Sequence, residues 1–196
     1  MKYGAILADP PWRYDDNTCS GACEKHYPTM SLAEMKALPI KDYAAENCAL
    51  FMWATWPMLV ESTELMKAWG FTYKTCAFVW VKTYASRTTK QMVIDLGEEA
   101  ALLNRALFVG LGRWSRGNTE FCLFGVRGKP KRLDENVRQI IIAPISGHSQ
   151  KPDEQYERIE RLVDGPYLEL FARKRHPGWD CWGNEVEPDI EMGVKP

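Results

Sequence analysis

Tyr3-Gly4-Ala5-Ile6-Leu7-Ala8-Asp9-Pro10-Pro11-Trp12 is the stretch from which the fold of this chain is read. Tyr3 to Ala8 is a short apolar run, the pattern of a strand buried on both faces. Pro10-Pro11 ends it, because proline has no amide hydrogen to give to a ladder. Asp9 is therefore expected at the carboxyl end of a buried strand.

The rest of the chain repeats strand and helix signals. Asp15 to Lys25 is polar, contains Gly21 and reads as a loop. Ser31-Leu32-Ala33-Glu34 is a capping box and predicts a helix start. Cys48 to Trp53 predicts a second buried strand. Pro57 to Trp69 predicts a helix, with Gly70 as its stop. Phe71 to Val81 and Thr119 to Val126 predict strands, the second closed by a turn at Arg127-Gly128-Lys129-Pro130. Between them, residues 84–118 are irregular, with Glu98 to Leu107 as a candidate helix and Gly110, Gly112 and Gly117 nearby. Gln139 to Ala143 predicts a strand, Pro152 to Val163 a helix with proline in its first turn, and Tyr167 to Phe171 the last strong strand. Such alternation implies an α/β sandwich with a mostly parallel central sheet. Ligands of such sheets sit beyond the carboxyl ends of the strands. Asp9 and Ala172 each follow a strand directly, so both are expected to face one crevice.

The chain has 196 residues, 45% hydrophobic and 26% charged, which suits one domain over 1–196. The formal net charge of −1 excludes nucleic-acid binding by overall charge; such binding would need a local patch or a partner subunit. Eight tryptophans imply an aromatic core, with stacking surfaces for bases as the alternative use. Cys19, Cys23, Cys48, Cys76, Cys122 and Cys181 follow nothing that resembles a secretory signal, and no apolar run approaches the ~20 residues of a membrane span. A cytoplasmic protein with free thiols, in a bacterial cell or a phage-infected host, is expected, with no membrane partner. Cys19, Cys23 and His26 lack a fourth ligand at regular spacing, so no metal is expected. No Gly-x-Gly-x-x-Gly fingerprint is present either, which argues against a nicotinamide or nucleotide enzyme.

Asp9-Pro10-Pro11-Trp12 suits chemistry on an amino group. The exocyclic amine of adenine is a poor nucleophile, because its lone pair is delocalised into the ring. A carboxylate and a backbone carbonyl beside it can accept its two N–H groups and free the lone pair. The two prolines fix φ, so those carbonyls are in place before a base arrives. Trp12 offers a face on which a flipped-out base can stack. The plain alternative is a strand-ending turn with Trp12 in the core.

Ile6-Leu7-Ala8-Asp9-Pro10-Pro11-Trp12 resembles the signature of the adenine N6-methyltransferase family of the MT-A type, named for the catalytic subunit of the eukaryotic mRNA adenine methyltransferase, which has bacterial and phage relatives. Further segments resemble the family's in the same order: Tyr27-Pro28-Thr29-Met30, Trp80-Val81-Lys82-Thr83, Gly125-Val126-Arg127-Gly128, Ser149-Gln150-Lys151-Pro152-Asp153-Glu154, Glu169-Leu170-Phe171-Ala172-Arg173 and Gly183-Asn184-Glu185. Together they span most of residues 3 to 186.

The resemblance implies a Rossmann-like methyltransferase sheet in permuted order, with the catalytic motif before the cofactor motif, and S-adenosylmethionine as methyl donor. It places Asp9, Pro10, Pro11 and Trp12 at the catalytic centre, with Asp9 also bound to the cofactor's ammonium end. Lys151 would lie close to Asp9 and pair with the cofactor carboxylate, where a solvated lysine at a helix start is the alternative. Arg173 would bond the ribose, with His176 as a further candidate. Asn184 and Glu185 would reach the ribose and the adenine edge; the family commonly has glutamine where Glu185 stands.

For the substrate, Arg113, Arg116, Arg127, Lys129, Lys131 and Arg132 stand against one acid, Glu120, between 113 and 132, with Trp114 among them. This suits phosphate contacts, with residues 84–118 as a recognition insertion and Arg113, Arg116 and Lys129 as binding candidates. Tyr27 is a candidate for holding the target base. DNA rather than RNA is expected from the short chain, with RNA adenine or a non-catalytic binding subunit as alternatives. A homodimer or a second subunit would supply further surface.

Overall fold

In the computed structural model the described residues are 1–14, 29–84, 107–110, 114–146 and 150–193. Their elements are β1 (Tyr3–Ala8), α1 (Leu32–Ala37), α2 (Ile40–Tyr43), β2 (Ala44–Ala54), a 3₁₀ turn (Trp56–Met58), α3 (Leu59–Ala68), β3 (Thr72–Thr83), β4 (Thr119–Arg127), β5 (Ile140–Pro144), α4 (Glu154–Leu162), β6 (Tyr167–Leu170) and β7 (Trp179–Trp182).

The strands form one seven-stranded sheet in the order β5-β3-β4-β2-β1-β6-β7 among the described residues. β4 runs antiparallel to both its neighbours, and every other pairing is parallel. The expected mostly parallel α/β sheet is therefore present. It is permuted as well: β6, late in sequence, lies directly against β1.

Both faces of the sheet are covered, which is why β1 is apolar throughout rather than alternating. Ile6 and Ala8 pack with Met35, Leu65, Met66 and Trp69 on the α1–α3 side. Ala5 and Leu7 pack with Phe51, Trp53, Tyr156 and Ile159 on the α4 side.

Local signals hold where they are strong. Ser31 caps α1, and Glu34 reaches back to the Ser31 amide at 2.7 Å. Gly70 takes φ +84°, the left-handed stop of α3. The helix predicted from Pro152 starts later, at Glu154, with Asp153 as its cap residue. The short β7 is an addition to the predicted strands. Its signal is four residues, Trp-Asp-Cys-Trp, between Gly178 and Gly183. The candidate helix from Glu98 lies outside the described residues except at its end, Leu107, which forms an antiparallel bridge with Thr83; the loop from Asp15 to Lys25 lies outside them, as do Cys19, Cys23 and His26. No helix among the described residues is long and apolar enough to cross a membrane.

Candidate active site

The chain leaves β1 towards β2 on one side, and leaves β6 towards β7 on the other. Between two such strands the connections diverge and a crevice opens at the carboxyl ends. Asp9 stands there, and its amide still reaches the Leu170 carbonyl at 3.5 Å. Ala172 does not face the crevice: its side chain is buried and its amide bonds the Trp182 carbonyl at 3.0 Å. Its neighbours Phe171 and Arg173 line the crevice instead.

The prolines hold the turn that follows. The Pro10 carbonyl accepts the Trp12 amide at 2.9 Å, and the Pro11 carbonyl accepts the Met30 amide at 3.0 Å. The Pro10 oxygen keeps a second lone pair for a ligand. Trp12 is 5% exposed, and its indole N–H donates to the Trp53 carbonyl at 3.2 Å. It is thus both a core residue and a cavity wall.

Lys151 is not a solvated residue. It is buried, and its ammonium lies 2.7 Å from Asp9 Oδ2 and 3.3 Å from Glu120 Oε2, with the Trp53 ring centroid 5.9 Å away. Glu120 also takes Lys82 at 2.5 Å. Two carboxylates and two ammonium groups balance inside a poorly hydrated site. Burial opposes the charge on Lys151, but Asp9 and Glu120 outweigh it and hold the ammonium above its ordinary range. Burial likewise opposes the charge on Glu120, and Lys151 with Lys82 outweighs it and lowers the carboxyl. Asp9 goes the other way: burial raises it, against the pull of Lys151.

Two cavities share Asp9, Lys151 and Arg173. One, with about 380 Å³ of open space, is bounded further by Trp53, Tyr156, Glu169 and Phe171. The other, about 360 Å³, is bounded by Pro10, Pro11, Trp12, Thr55 and Glu120. In the first, Glu169 accepts the Tyr156 hydroxyl at 2.9 Å. Burial pushes the Glu169 carboxyl up to about 7, against that hydrogen bond. Gln155 accepts the Trp53 indole N–H at 2.6 Å and so fixes the wall between them.

The other residues singled out by sequence fall in several places. Arg173 lines both cavities and lies 3.8 Å from Glu185. Asn184 and Glu185 are exposed just beyond Gly183. His176 stacks on Tyr156 with centroids 3.9 Å apart, and its Nε2 lies 3.8 Å from Glu160. Tyr27 and Arg113 lie outside the described residues.

The basic run from 113 to 132 is not one patch. β4 carries the chain from Thr119, near Glu120 and Lys82, to Arg127, which pairs with Cys48 of β2. Nine strand residues span roughly 30 Å. Arg116 and Lys129, both exposed, therefore lie at opposite ends of the sheet. Glu120 is no counter-charge to a surface patch, because it is buried against Asp9's partner.

Lys82, Glu120, Tyr156 and Glu169 carry site geometry, although the sequence alone assigned none of them a site role. The signal was available for two of them: Glu120 and Glu169 are acids within otherwise apolar strands.

The sequence profile of the MT-A70 family matches residues 3–185. The chain is 34% identical over 214 residues to the type II methyltransferase M.MunI of a Mycoplasma species, across 98% of this chain and 81% of that protein. It is 30% identical over 190 residues to an N(6)-adenosine-methyltransferase MT-A70-like protein of Drosophila melanogaster, across 95% of this chain and 27% of that one. It is also 30% identical over 204 residues to the N(6)-adenosine-methyltransferase catalytic subunit METTL3 of Homo sapiens, across 99% of this chain and 31% of that one. The chain thus spans about a quarter to a third of the length of these two adenosine methyltransferases. With Asp9-Pro10-Pro11-Trp12 at the carboxyl end of β1 and a match over nearly all its length, the chain belongs to the MT-A70 family and is a methyltransferase.

Proposed function

We propose that this enzyme transfers the methyl group of S-adenosylmethionine to the exocyclic amine of adenine in DNA. The observation that carries the proposal is the position of Asp9, in the lining shared by two adjoining cavities. A methyl donor in one and a flipped base in the other would meet at that carboxylate, and positioning would supply most of the rate.

The donor set fits S-adenosylmethionine. Its ammonium and sulfonium groups suit a crevice holding Asp9 and Glu169, and its carboxylate suits Lys151 and Arg173. When bound, it supplies the electrophilic methyl group. The chain's own residues do the rest. Asp9 and the Pro10 carbonyl accept the two N–H groups of the amine. Trp12 holds the ring. Lys151 keeps Asp9 in one orientation, and burial makes that carboxylate more basic, so it can take a share of the proton the product amine must lose.

The DNA assignment follows the type II methyltransferase, which the chain covers over most of its length. Residues 84–118 serve as the recognition insertion in this reading. Described residues of this segment attach beside the site: the Phe108 amide donates to the Lys82 carbonyl at 2.9 Å, and the Lys82 amide to the Asn118 carbonyl at 2.8 Å. The test is incubation with labelled S-adenosylmethionine and either DNA or RNA, followed by digestion to nucleosides. N6-methyladenine from DNA is expected. The same product from RNA alone would replace the substrate, and transfer only to cytosine or protein would overturn the reaction.

A further inference from the structure

Of the eight tryptophans, Trp56 and Trp114 are exposed; Trp12, Trp53, Trp69, Trp80, Trp179 and Trp182 are buried. A single exposed aromatic is ordinary by itself. Trp56 differs in how it is held and where. It is 53% exposed, yet its indole N–H donates to Thr119 Oγ1 at 2.9 Å. Its ring packs on Phe121, with centroids 4.7 Å apart and planes inclined at 53°. One side of the indole is thus fixed while much of the ring remains open.

The position is beside the cavity that holds Asp9 and Trp12. Thr55, the residue before Trp56, lines that cavity and shares a 2.6 Å hydrogen bond with the Tyr14 hydroxyl. Thr119, the hydrogen-bond partner, precedes Glu120, which lines the same cavity from the neighbouring strand β4. Trp56 is therefore tied to the neighbouring strand one residue beyond the cavity lining, next to the end of the 84–118 segment.

We propose that Trp56 is a stacking platform for the nucleobase adjacent to the target adenine. This rests on the adenine-methylation reading of the same site. A base drawn into the cavity leaves its strand neighbour without a stacking partner. A ring already immobilised by Thr119 and Phe121 offers that neighbour a replacement surface at little entropic cost. Stacking on an aromatic face accepts any base, so Trp56 contributes affinity rather than sequence choice.

The test is steady-state methyl transfer by wild type, W56A, W56L and W56F, on whichever of unmethylated plasmid DNA or transcript RNA the wild type modifies. Thermal melting establishes that each variant is folded. W56A and W56L are expected to raise KM for the nucleic acid by roughly 5- to 150-fold, the range for one base–aromatic stack. KM for S-adenosylmethionine is expected to stay within about twofold, since remote stacking does not touch the donor cavity. W56F is expected to stay near wild type. Leucine covers Phe121 without a π-face, so a wild-type KM in W56L would reduce Trp56 to a packing residue and overturn the proposal. A change of oligomeric mass in W56A with KM unchanged would overturn it in favour of a protein interface. Absence of adenine methylation by wild type would remove the underlying reading, a result seen before any variant is compared.

Discussion

Lys151 donates a 2.7 Å hydrogen bond to Asp9 across 142 residues of sequence, inside a site where neither charge is well hydrated. The bond aims the carboxylate and ties the catalytic turn after β1 to the segment before α4.

Removing the cation takes from Asp9 its hydrogen-bonded partner and leaves Glu120 with Lys82. Lys151→Met is expected to lower unfolding free energy by about 3 kcal/mol or more, the usual cost of breaking a buried pair from one side. Asp9→Asn is expected to cost less stability, because Lys151 keeps Glu120 at 3.3 Å. Both should reduce methyl transfer by at least about 100-fold, the scale for losing one preorganised polar group. Urea unfolding and initial rates check both; a Lys151→Met protein as stable as wild type would refute the buried-pair account.

Glu169 should make stability depend on pH. Its carboxyl rises from 4.5 to about 7 on folding, chiefly through burial. The folded protein then holds more protons than the unfolded chain between those values, so this group's contribution to stability falls as pH rises from about 4.5 to about 7. Glu169→Gln keeps an acceptor for the Tyr156 hydroxyl and removes the titration. Its melting temperature should match wild type near pH 4 and exceed it increasingly up to about pH 7, levelling off above, by an amount on the order of 3 kcal/mol in free energy. Parallel pH–melting curves would contradict this.

Trp12 combines two roles that substitution can separate. Trp12→Phe loses the bond to the Trp53 carbonyl but keeps a ring, and should cost about 1 kcal/mol of stability with partial activity. Trp12→Ala opens a cavity in the core and should cost about 3–5 kcal/mol with activity lost. Denaturant titrations with rate measurements distinguish the two.

Gly183 sits where β7 leaves the sheet against the chain following β6. A Cβ there would lie 2.0 Å from the Ala172 carbonyl oxygen. Gly183→Ala must therefore displace backbone between Phe171 and Arg173, beside the proposed donor cavity. S-adenosylhomocysteine is expected to bind at least about tenfold more weakly, a loss of about 1.4 kcal/mol, as titration calorimetry would measure. Unchanged affinity would dissociate Gly183 from that cavity.

Individual residues show what was legible beforehand. Ser31 and Gly70 work through neighbours three or four residues away, so their roles can be read from local order. Asp9 is legible because an apolar run followed by two prolines defines a strand end wherever the strand lies. Lys151 was legible as a site residue only through family resemblance; by local rules it is a cation near a helix start. β7 went unread because four residues carry little periodic signal.

What the sequence determined by itself is the set of long elements, the strand end that presents Asp9, and membership of the MT-A70 family. Those depend on short-range sterics, on hydrophobic period and on motif order. Only the tertiary structure decided that Glu120 and Lys82 join Lys151 beside Asp9, that β4 runs antiparallel and carries Lys129 to the far end, and that Trp56 stays open beside the cavity. The physical reason is that strand direction and charge burial depend on partners distant in sequence. An acid in an apolar strand is costly or functional according to whether a cation meets it, and only the folded chain brings Lys151 to Asp9.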